Sequence, residues 1–169
     1  MRFGSGANAI IFVGGIHYGY APASETVALR TIDYFTNNPQ KIPENASVYV
    51  VKNLNPDAFY DPGKLAGRLN ANGVDLNRNW DCNWAKDTEV LGKFLNGAGG
   101  SSPFSEPETS SLYDLIITTR PKAVVIWGAR GENVISWFVW ARQRRFYTIS
   151  AFLRECGRLH GTRFRDNGR

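Results

Sequence analysis

The chain has 169 residues, of which 43% are hydrophobic and 21% charged, and its formal net charge is +5. This composition is ordinary for a globular protein, and the length suits one domain with a buried core. No apolar run reaches the roughly 20 residues that a membrane helix needs. No charged start followed by an apolar stretch predicts a secretory signal, so the cytoplasm is the default expectation.

Strand and helix patterns alternate along the first half of the chain. Asn8–Val13 is a short apolar run between glycines and predicts a buried strand. Residues 24–35 place Ala28, Ile32 and Phe35 on one face of a predicted helix. Residues 47–51 predict a second strand. The alternation indicates an α/β domain in which helices pack on a sheet.

The second half begins with a long irregular stretch that ends near residue 84, and such a loop inside a domain is more often functional than not. Residues 87–95 predict a short helix. Ser105 and Glu108 in SEPE predict a capping box that opens a further helix, with Leu112, Leu115 and Ile116 as its buried stripe. Residues 122–127 predict a third strand.

The segment 74–80, VDLNRNW, sets an arginine between two asparagines and next to a tryptophan. The paired N–H donors of a guanidinium match the two oxygens of a carboxylate. Asn77, Arg78 and Asn79 therefore fit a loop that binds a flat anion. The alternative is a solvated loop stabilised by asparagine turn hydrogen bonds, and these residues alone favour neither.

Five stretches, in order, resemble the carboxypeptidase A-like zinc carboxypeptidase family: FVGGIH, NPD, GRLNANGVDLNRNW, PFSEPET and VVIW. They extend from Phe3 to about Arg130. The resemblance implies an α/β fold with a partial mixed β-sheet flanked by helices. It also implies hydrolysis of C-terminal residues, so that the partners would be peptide or protein C-termini.

The resemblance also implies roles for individual residues. Asn77 and Arg78 would bind the terminal carboxylate of the substrate. Arg68 would polarise the scissile carbonyl, where an oxyanion develops; alternatively it is a surface arginine. His17 matches the first ligand of a catalytic zinc, which the family holds with two histidines and a glutamate while another glutamate acts as general base. Alternatively, His17 is a hydrogen-bonded residue without metal.

The sequence departs from the family at the other ligands. The ligand glutamate is expected at about Ala21, and the nearest carboxylate, Glu25, lies in the predicted helix. The second histidine is expected after the third strand, where the chain reads Trp127, Gly128, Ala129. We therefore predict a family domain that is inactive as written and not expected to hold zinc. The alternative function is non-catalytic binding of peptide C-terminal carboxylates.

The last 40 residues differ in composition from the rest. They contain nine arginines, no lysine and three acidic residues, interspersed with large aromatic side chains. A basic tail can indicate nucleic acid or an anionic surface. Arms of that kind mix lysine with arginine and avoid large apolar residues, so nucleic-acid binding is disfavoured. We predict a carboxypeptidase-like domain fragment at 1–130 and an unrelated tail at 131–169, read from a shifted frame or, alternatively, an authentic divergent C-terminus.

Overall fold

The computed structural model describes residues 1–128. Within this range a four-stranded sheet has the order β1 (Arg2–Phe3), β3 (Ala46–Val51), β2 (Asn8–Val13) and β6 (Ala123–Ile126). Strand β1 is antiparallel to β3, whereas β2 is parallel to both β3 and β6. The predicted α/β fold with a mixed sheet is therefore confirmed. The predicted boundary at residue 130 lies outside the described residues.

Two helices cover the sheet, α1 (Ala23–Asn37) and α2 (Pro107–Thr119). On one face Ile11 and Val13 pack in a buried cluster with the apolar side chains of α2. On the other face Phe12 packs in a cluster with Ala28 and its neighbours on α1. Adjacent residues of a strand point to opposite faces, so β2 contributes to both clusters. Neither helix in the described part of the chain is long and apolar enough to cross a membrane.

The carboxyl ends of the parallel strands lie at one edge of the sheet. Val13 at the end of β2 pairs with Val51 at the end of β3 and with Ile126 at the end of β6. Loops that follow parallel strands meet at this edge, where α/β folds commonly place their binding sites. The turn with His17 and the long connection after β3 both start there.

The predicted helix at residues 87–95 is wrong. This segment forms an antiparallel hairpin of β4 (Thr88–Val90) and β5 (Lys93–Leu95). Leu91 and Gly92 join the strands, and both have positive φ angles of 51° and 74°. Two successive residues of this kind form a tight hairpin turn and cannot continue a right-handed helix.

The predicted capping box at the start of α2 is also wrong. Glu106 is the N-cap and Pro107 occupies the first helical position, so the helix begins one residue later than SEPE suggests. The carboxylate of Glu108 accepts from the side-chain amide of Asn70 at 3.3 Å instead of reaching back to Ser105. The buried stripe of α2 is as predicted, with Leu112 and Ile116 in the core.

Candidate functional site

Close backbone packing fixes the His17 turn against the later loop. A Cβ atom on Gly19 would lie 2.0 Å from the carbonyl oxygen of Phe59, and one on Gly67 would lie 2.5 Å from the carbonyl carbon of Gly19. Only glycine allows two backbone segments to approach so closely. This contact places the 3-10 turn Leu65–Arg68 beside His17.

Asp75 is the fully buried centre of the site. Its Oδ1 lies 2.9 Å from Nε2 of His17, and its Oδ2 accepts from Nε and Nη2 of Arg68 at 3.0 and 2.9 Å. Oδ1 also accepts the backbone N–H of Asn77 at 2.9 Å. Burial alone would raise the pKa of Asp75, but the hydrogen bond to His17 and the charges of His17 and Arg68 hold that pKa below its ordinary value. One ionised carboxylate thus joins three segments of the chain.

The contact with Asp75 fixes the tautomer of His17. An ionised carboxylate only accepts hydrogen bonds, so Nε2 of the imidazole carries a proton, and in the neutral ring Nδ1 is then the acceptor. A carboxylate that orients a histidine in this way is typical of histidines that bind a metal through the other ring nitrogen. The orientation of His17 is therefore one that suits a metal ligand.

The remaining expected ligands do not fit a zinc site of the family type. Ala21 and Gly128 have no ligating side-chain atom, and Oε1 of Glu25 accepts from Nδ2 of Asn53 at 3.3 Å. Within residues 1–128 no group of three histidine, cysteine, aspartate or glutamate side chains is placed to hold a metal ion. His160 lies outside that range. The donor set of the described residues is one ligand of the three that the family uses.

Arg68 is bound by Asp75, which compensates its charge. Its side chain is 12% exposed, it donates twice to Asp75, and its guanidinium carbon lies 5.7 Å from the centre of the Tyr20 ring. The interpretation of Arg68 as a surface arginine is therefore wrong. Its role towards a substrate carbonyl stays a prediction.

Arg78 and Asn77 differ from Arg68 in that no carboxylate of residues 1–128 pairs with their side chains. They lie in the 3-10 turn Leu76–Arg78, which the carboxylate of Asp75 caps. Arg78 is exposed, and its Nε donates to the backbone carbonyl of Glu89 at 3.3 Å. In the described range no carboxylate lies within 4.0 Å of Arg78, and the side-chain amide of Asn77 makes no hydrogen bond. The two terminal nitrogens of Arg78 and the side-chain amide of Asn77 therefore have no partner within residues 1–128 and can donate to a ligand.

Asn79, the second asparagine of the motif, is fully buried and has a structural role. Its amide nitrogen donates to three acceptors, which are the carbonyl oxygens of Gly99 (2.7 Å) and Ser102 (3.0 Å) and the hydroxyl of Ser105 (3.0 Å). Its Oδ1 accepts from the backbone N–H of Glu106 and the hydroxyl of Thr109. The two asparagines that flank Arg78 therefore differ, because only Asn77 keeps free side-chain donors.

A second buried carboxylate attaches the same loop to α2. Glu106 accepts from the side-chain amides of Asn70 (2.8 Å) and Asn72 (2.7 Å) and from the hydroxyl of Ser105. Burial raises the pKa of Glu106, but these hydrogen bonds outweigh it and leave that pKa lowered. Neither Asp75 nor Glu106 was identified from the sequence as part of the site. The signal for Asp75 was its position two residues before Asn77, where aspartate often accepts a backbone N–H.

Several known proteins are similar to this chain in sequence. Zinc carboxypeptidase A 1 of Anopheles gambiae is 28% identical over 139 residues, which cover 72% of this chain and 31% of that protein. Murein peptide amidase A of Escherichia coli K12 is 41% identical over 86 residues, which cover 46% of this chain and 34% of that protein. Carboxypeptidase B of Astacus astacus is 29% identical over 138 residues, which cover 69% of this chain and 44% of that protein.

The chain thus spans between about a third and less than half of the length of these relatives. Residues 3–160 match the profile of the zinc carboxypeptidase family, which is most of the chain. The match includes the described site from His17 to Asn79 and continues beyond residue 128. The chain therefore belongs to the zinc carboxypeptidase family.

Proposed function

We propose that this domain binds the free carboxylate of peptide C-termini through Arg78 and Asn77 and does not hydrolyse the peptide. The observation that carries the proposal is the state of Arg78, an exposed guanidinium without a carboxylate partner in residues 1–128. Because Nε is engaged by the carbonyl of Glu89, the two terminal nitrogens remain for a carboxylate. Paired N–H donors of this kind bind both oxygens of a carboxylate.

The turn that carries Arg78 supports the proposal because Asp75 fixes it in advance. The bond from the backbone N–H of Asn77 to Oδ1 of Asp75 and the bond from the backbone N–H of Arg78 to the Asp75 carbonyl (2.7 Å) hold the backbone of the turn. Donors on a fixed backbone lose less conformational entropy on binding. Arg68, oriented by the same carboxylate, would donate a remaining N–H to the last peptide carbonyl.

The set of possible metal ligands in residues 1–128 supports binding without hydrolysis. The family reaction needs a metal that lowers the pKa of a bound water, and the described residues supply His17 without the two other ligands. The His17–Asp75 pair favours the opposite function, a zinc peptidase completed by other residues. Zinc content separates the two.

We expect purified protein to hold much less than one zinc per chain and to release no C-terminal residues from peptides. Zinc is measured by mass spectrometry after dialysis, and hydrolysis by peptide mass. The double variant Ala21→Glu, Gly128→His is expected to raise the zinc content, and adding His17→Ala is expected to remove it again. One tightly held zinc per wild-type chain that His17→Ala removes would contradict the proposal.

Peptide binding tests the carboxylate site directly. A peptide with a free C-terminus should bind more tightly than its amide, and Arg78→Ala should weaken binding of the acid by roughly ten- to a hundredfold, as for loss of a charge-assisted partner. Arg78→Lys should not restore it, since an ammonium lacks paired donors. Arg30→Ala, which removes an exposed arginine from α1, is the control for net charge. Equal affinity for acid and amide in titration calorimetry would refute the assignment.

A further inference from the structure

An asparagine-glycine pair directly follows the β4–β5 hairpin. Asn96 comes immediately after β5 and is exposed, and its side-chain amide has no hydrogen-bond partner within residues 1–128. The backbone nitrogen of the next residue, Gly97, can attack Cγ of the asparagine side chain, because glycine has no Cβ atom to obstruct the attack. Asn96 and Gly97 therefore form a chemically reactive pair at the surface.

The nitrogen that would attack is hydrogen-bonded to a carboxylate. The backbone N–H of Gly97 donates to Oδ1 of Asp87 at 2.7 Å. Asp87 lies in the bend before β4 and is exposed. An amide nitrogen becomes a nucleophile only when its proton is removed, and a carboxylate at hydrogen-bond distance can accept that proton as a general base. The fold thus places a base on the attacking atom.

A second asparagine-glycine pair, Asn72 and Gly73, lacks this arrangement. The backbone N–H of Gly73 donates to the carbonyl oxygen of Asn70 at 3.0 Å, and a neutral carbonyl is a far weaker base than a carboxylate. The side-chain amide of Asn72 is held by Glu106, to which it donates at 2.7 Å. A third pair near the end of the sequence lies outside the described residues. Of the two described pairs, the one at Asn96 has the more reactive geometry.

We propose that Asn96 is a site of deamidation in which Asp87 acts as the base. The backbone nitrogen of Gly97 passes its proton to Asp87 and forms a bond to Cγ of Asn96. The bond from Cγ to Nδ2 breaks, and the side-chain nitrogen takes up the proton and leaves as ammonia, which gives a five-membered succinimide ring. Water then opens the ring at either of its carbonyl carbons. The products are aspartate, and isoaspartate in which the main chain continues through the side-chain carbon.

The isoaspartate product changes the backbone that supports the 3-10 turn Leu76–Arg78, because it adds one carbon atom to the main chain. The carbonyl of Ala98 accepts the backbone N–H of Asp75 at 2.9 Å, and the carbonyl of Gly99 accepts Nδ2 of Asn79 at 2.7 Å. Neither supporting residue has room to shift. Ala98 is fully buried, and a Cβ atom on Gly99 would lie 2.0 Å from a backbone carbonyl oxygen. Lengthening the chain just before them therefore weakens both hydrogen bonds to the turn.

Ageing of the full-length protein tests the site. The protein is incubated in mildly alkaline buffer and digested at acidic pH, and deamidation is measured by mass for each asparagine-containing peptide. Asn96 should react roughly tenfold faster than Asn72, less than the usual gain from a general base because Asp87 is exposed. In urea the two asparagines should react at similar rates, since the folded arrangement is lost. Equal rates in the folded protein, or faster reaction at Asn72, would refute the assignment.

Asp87→Asn tests the role of the base. The amide keeps an oxygen that can accept from the N–H of Gly97 but does not take up its proton, so deamidation at Asn96 should slow roughly tenfold while that at Asn72 is unchanged. Asp33→Asn, which removes an exposed carboxylate from α1, is the control for net charge. An unchanged or faster rate at Asn96 in Asp87→Asn would show that Asp87 does not act as the base.

Melting temperatures test the effect on the turn. Aged wild-type protein that has accumulated isoaspartate should melt a few degrees below fresh protein. Asn96→Gln aged in parallel should show no such loss, because the longer side chain does not readily form the ring. Asn96→Asp carries the charge of the product without the extra main-chain carbon and should melt close to fresh wild-type protein, as expected for an exposed position. An equal loss in aged wild type and aged Asn96→Gln would contradict the proposed effect on the turn.

Discussion

Asp75→Ala is expected to lower the free energy of unfolding by about 3–5 kcal/mol, the usual cost of removing one partner from a buried ion pair. Asp75 is fully buried and is the only carboxylate within 4.0 Å of Arg68 in the described range. The variant leaves the guanidinium of Arg68, 12% exposed, without its counter-ion and removes the acceptor of His17. An uncompensated buried charge explains the size of the effect better than the lost hydrogen bonds do.

The surface pair of Asp61 and Lys64 provides the control. Their charged atoms are 3.1 Å apart, but the Lys64 side chain is 76% exposed, so Asp61→Ala should cost less than about 1 kcal/mol. Urea denaturation at pH 7 measures both variants. If Asp75→Ala costs no more than Asp61→Ala, then Asp75 does not hold the site together.

Acid titration gives a second measurement on the same carboxylate. The pKa of Asp75 is lowered in the folded state, so its contribution to stability is fully present above the unfolded pKa, near 4, and is lost as the pH falls through the lower folded pKa. Wild-type protein should therefore lose stability on acidification below about pH 4. Asp75→Asn, which cannot titrate, should show a shallower loss over the same pH range.

The fold is largely predictable from local patterns. The run Asn8–Val13 lies in the middle of a sheet that is covered on both faces, so its apolar residues are continuous, and the strand was predicted with its observed bounds. The helix predicted at residues 24–35 differs from α1 by only one residue at its start and two at its end. These elements bury regular apolar surfaces, and their periodicity is therefore visible in the sequence.

The hairpin was not predictable in the same way. Residues 88–95, TEVLGKFL, carry apolar side chains at a spacing that suits one turn of helix as well as two short strands. Their turn is Leu91-Gly92 instead of Asn-Gly, the usual signal for a hairpin.

The sequence singles out the segment 74–80 as a candidate site, but it does not reveal the central role of Asp75 or the different roles of the two asparagines. Asn77 and Asn79 are the same residue type on either side of Arg78, and only long-range contacts distinguish them. Asn79 is buried by the segment that leads into α2, about 20 to 30 residues later in the chain. Likewise, Asp75 meets His17 across 58 residues. No local pattern reports such contacts.

These hydrogen bonds hold the Arg78 turn without the help of a metal ion. Asp75 and Asn79 hold the Arg78 turn from both ends through bonds to protein groups, none of which needs a metal ion. A domain that lacks zinc ligands can therefore keep the carboxylate-binding turn in place. This independence is what allows the proposed binding without hydrolysis.

Asn79→Ala tests the second of these two supports, and it is expected to lower the free energy of unfolding by about 3–5 kcal/mol. The asparagine side chain satisfies three acceptors and two donors, and the substitution leaves the buried N–H of Glu106 without its partner. Each buried polar group left unpaired costs about 1–3 kcal/mol. The measurement is the urea midpoint and slope at pH 7, where an unchanged slope indicates an unchanged mode of unfolding.

Two further variants separate hydrogen bonding from volume. Asn79→Asp keeps the size of the side chain but places a carboxylate oxygen against the carbonyls of Gly99 and Ser102, so it should be at least as destabilising as alanine. Asn77→Ala changes the same residue type two positions earlier, where the amide has no hydrogen bond within residues 1–128, and should cost less than about 0.5 kcal/mol. Asn77→Ala should instead weaken binding of the peptide acid. Equal destabilisation by Asn77→Ala and Asn79→Ala would contradict the assignment of a structural role to Asn79 and a binding role to Asn77.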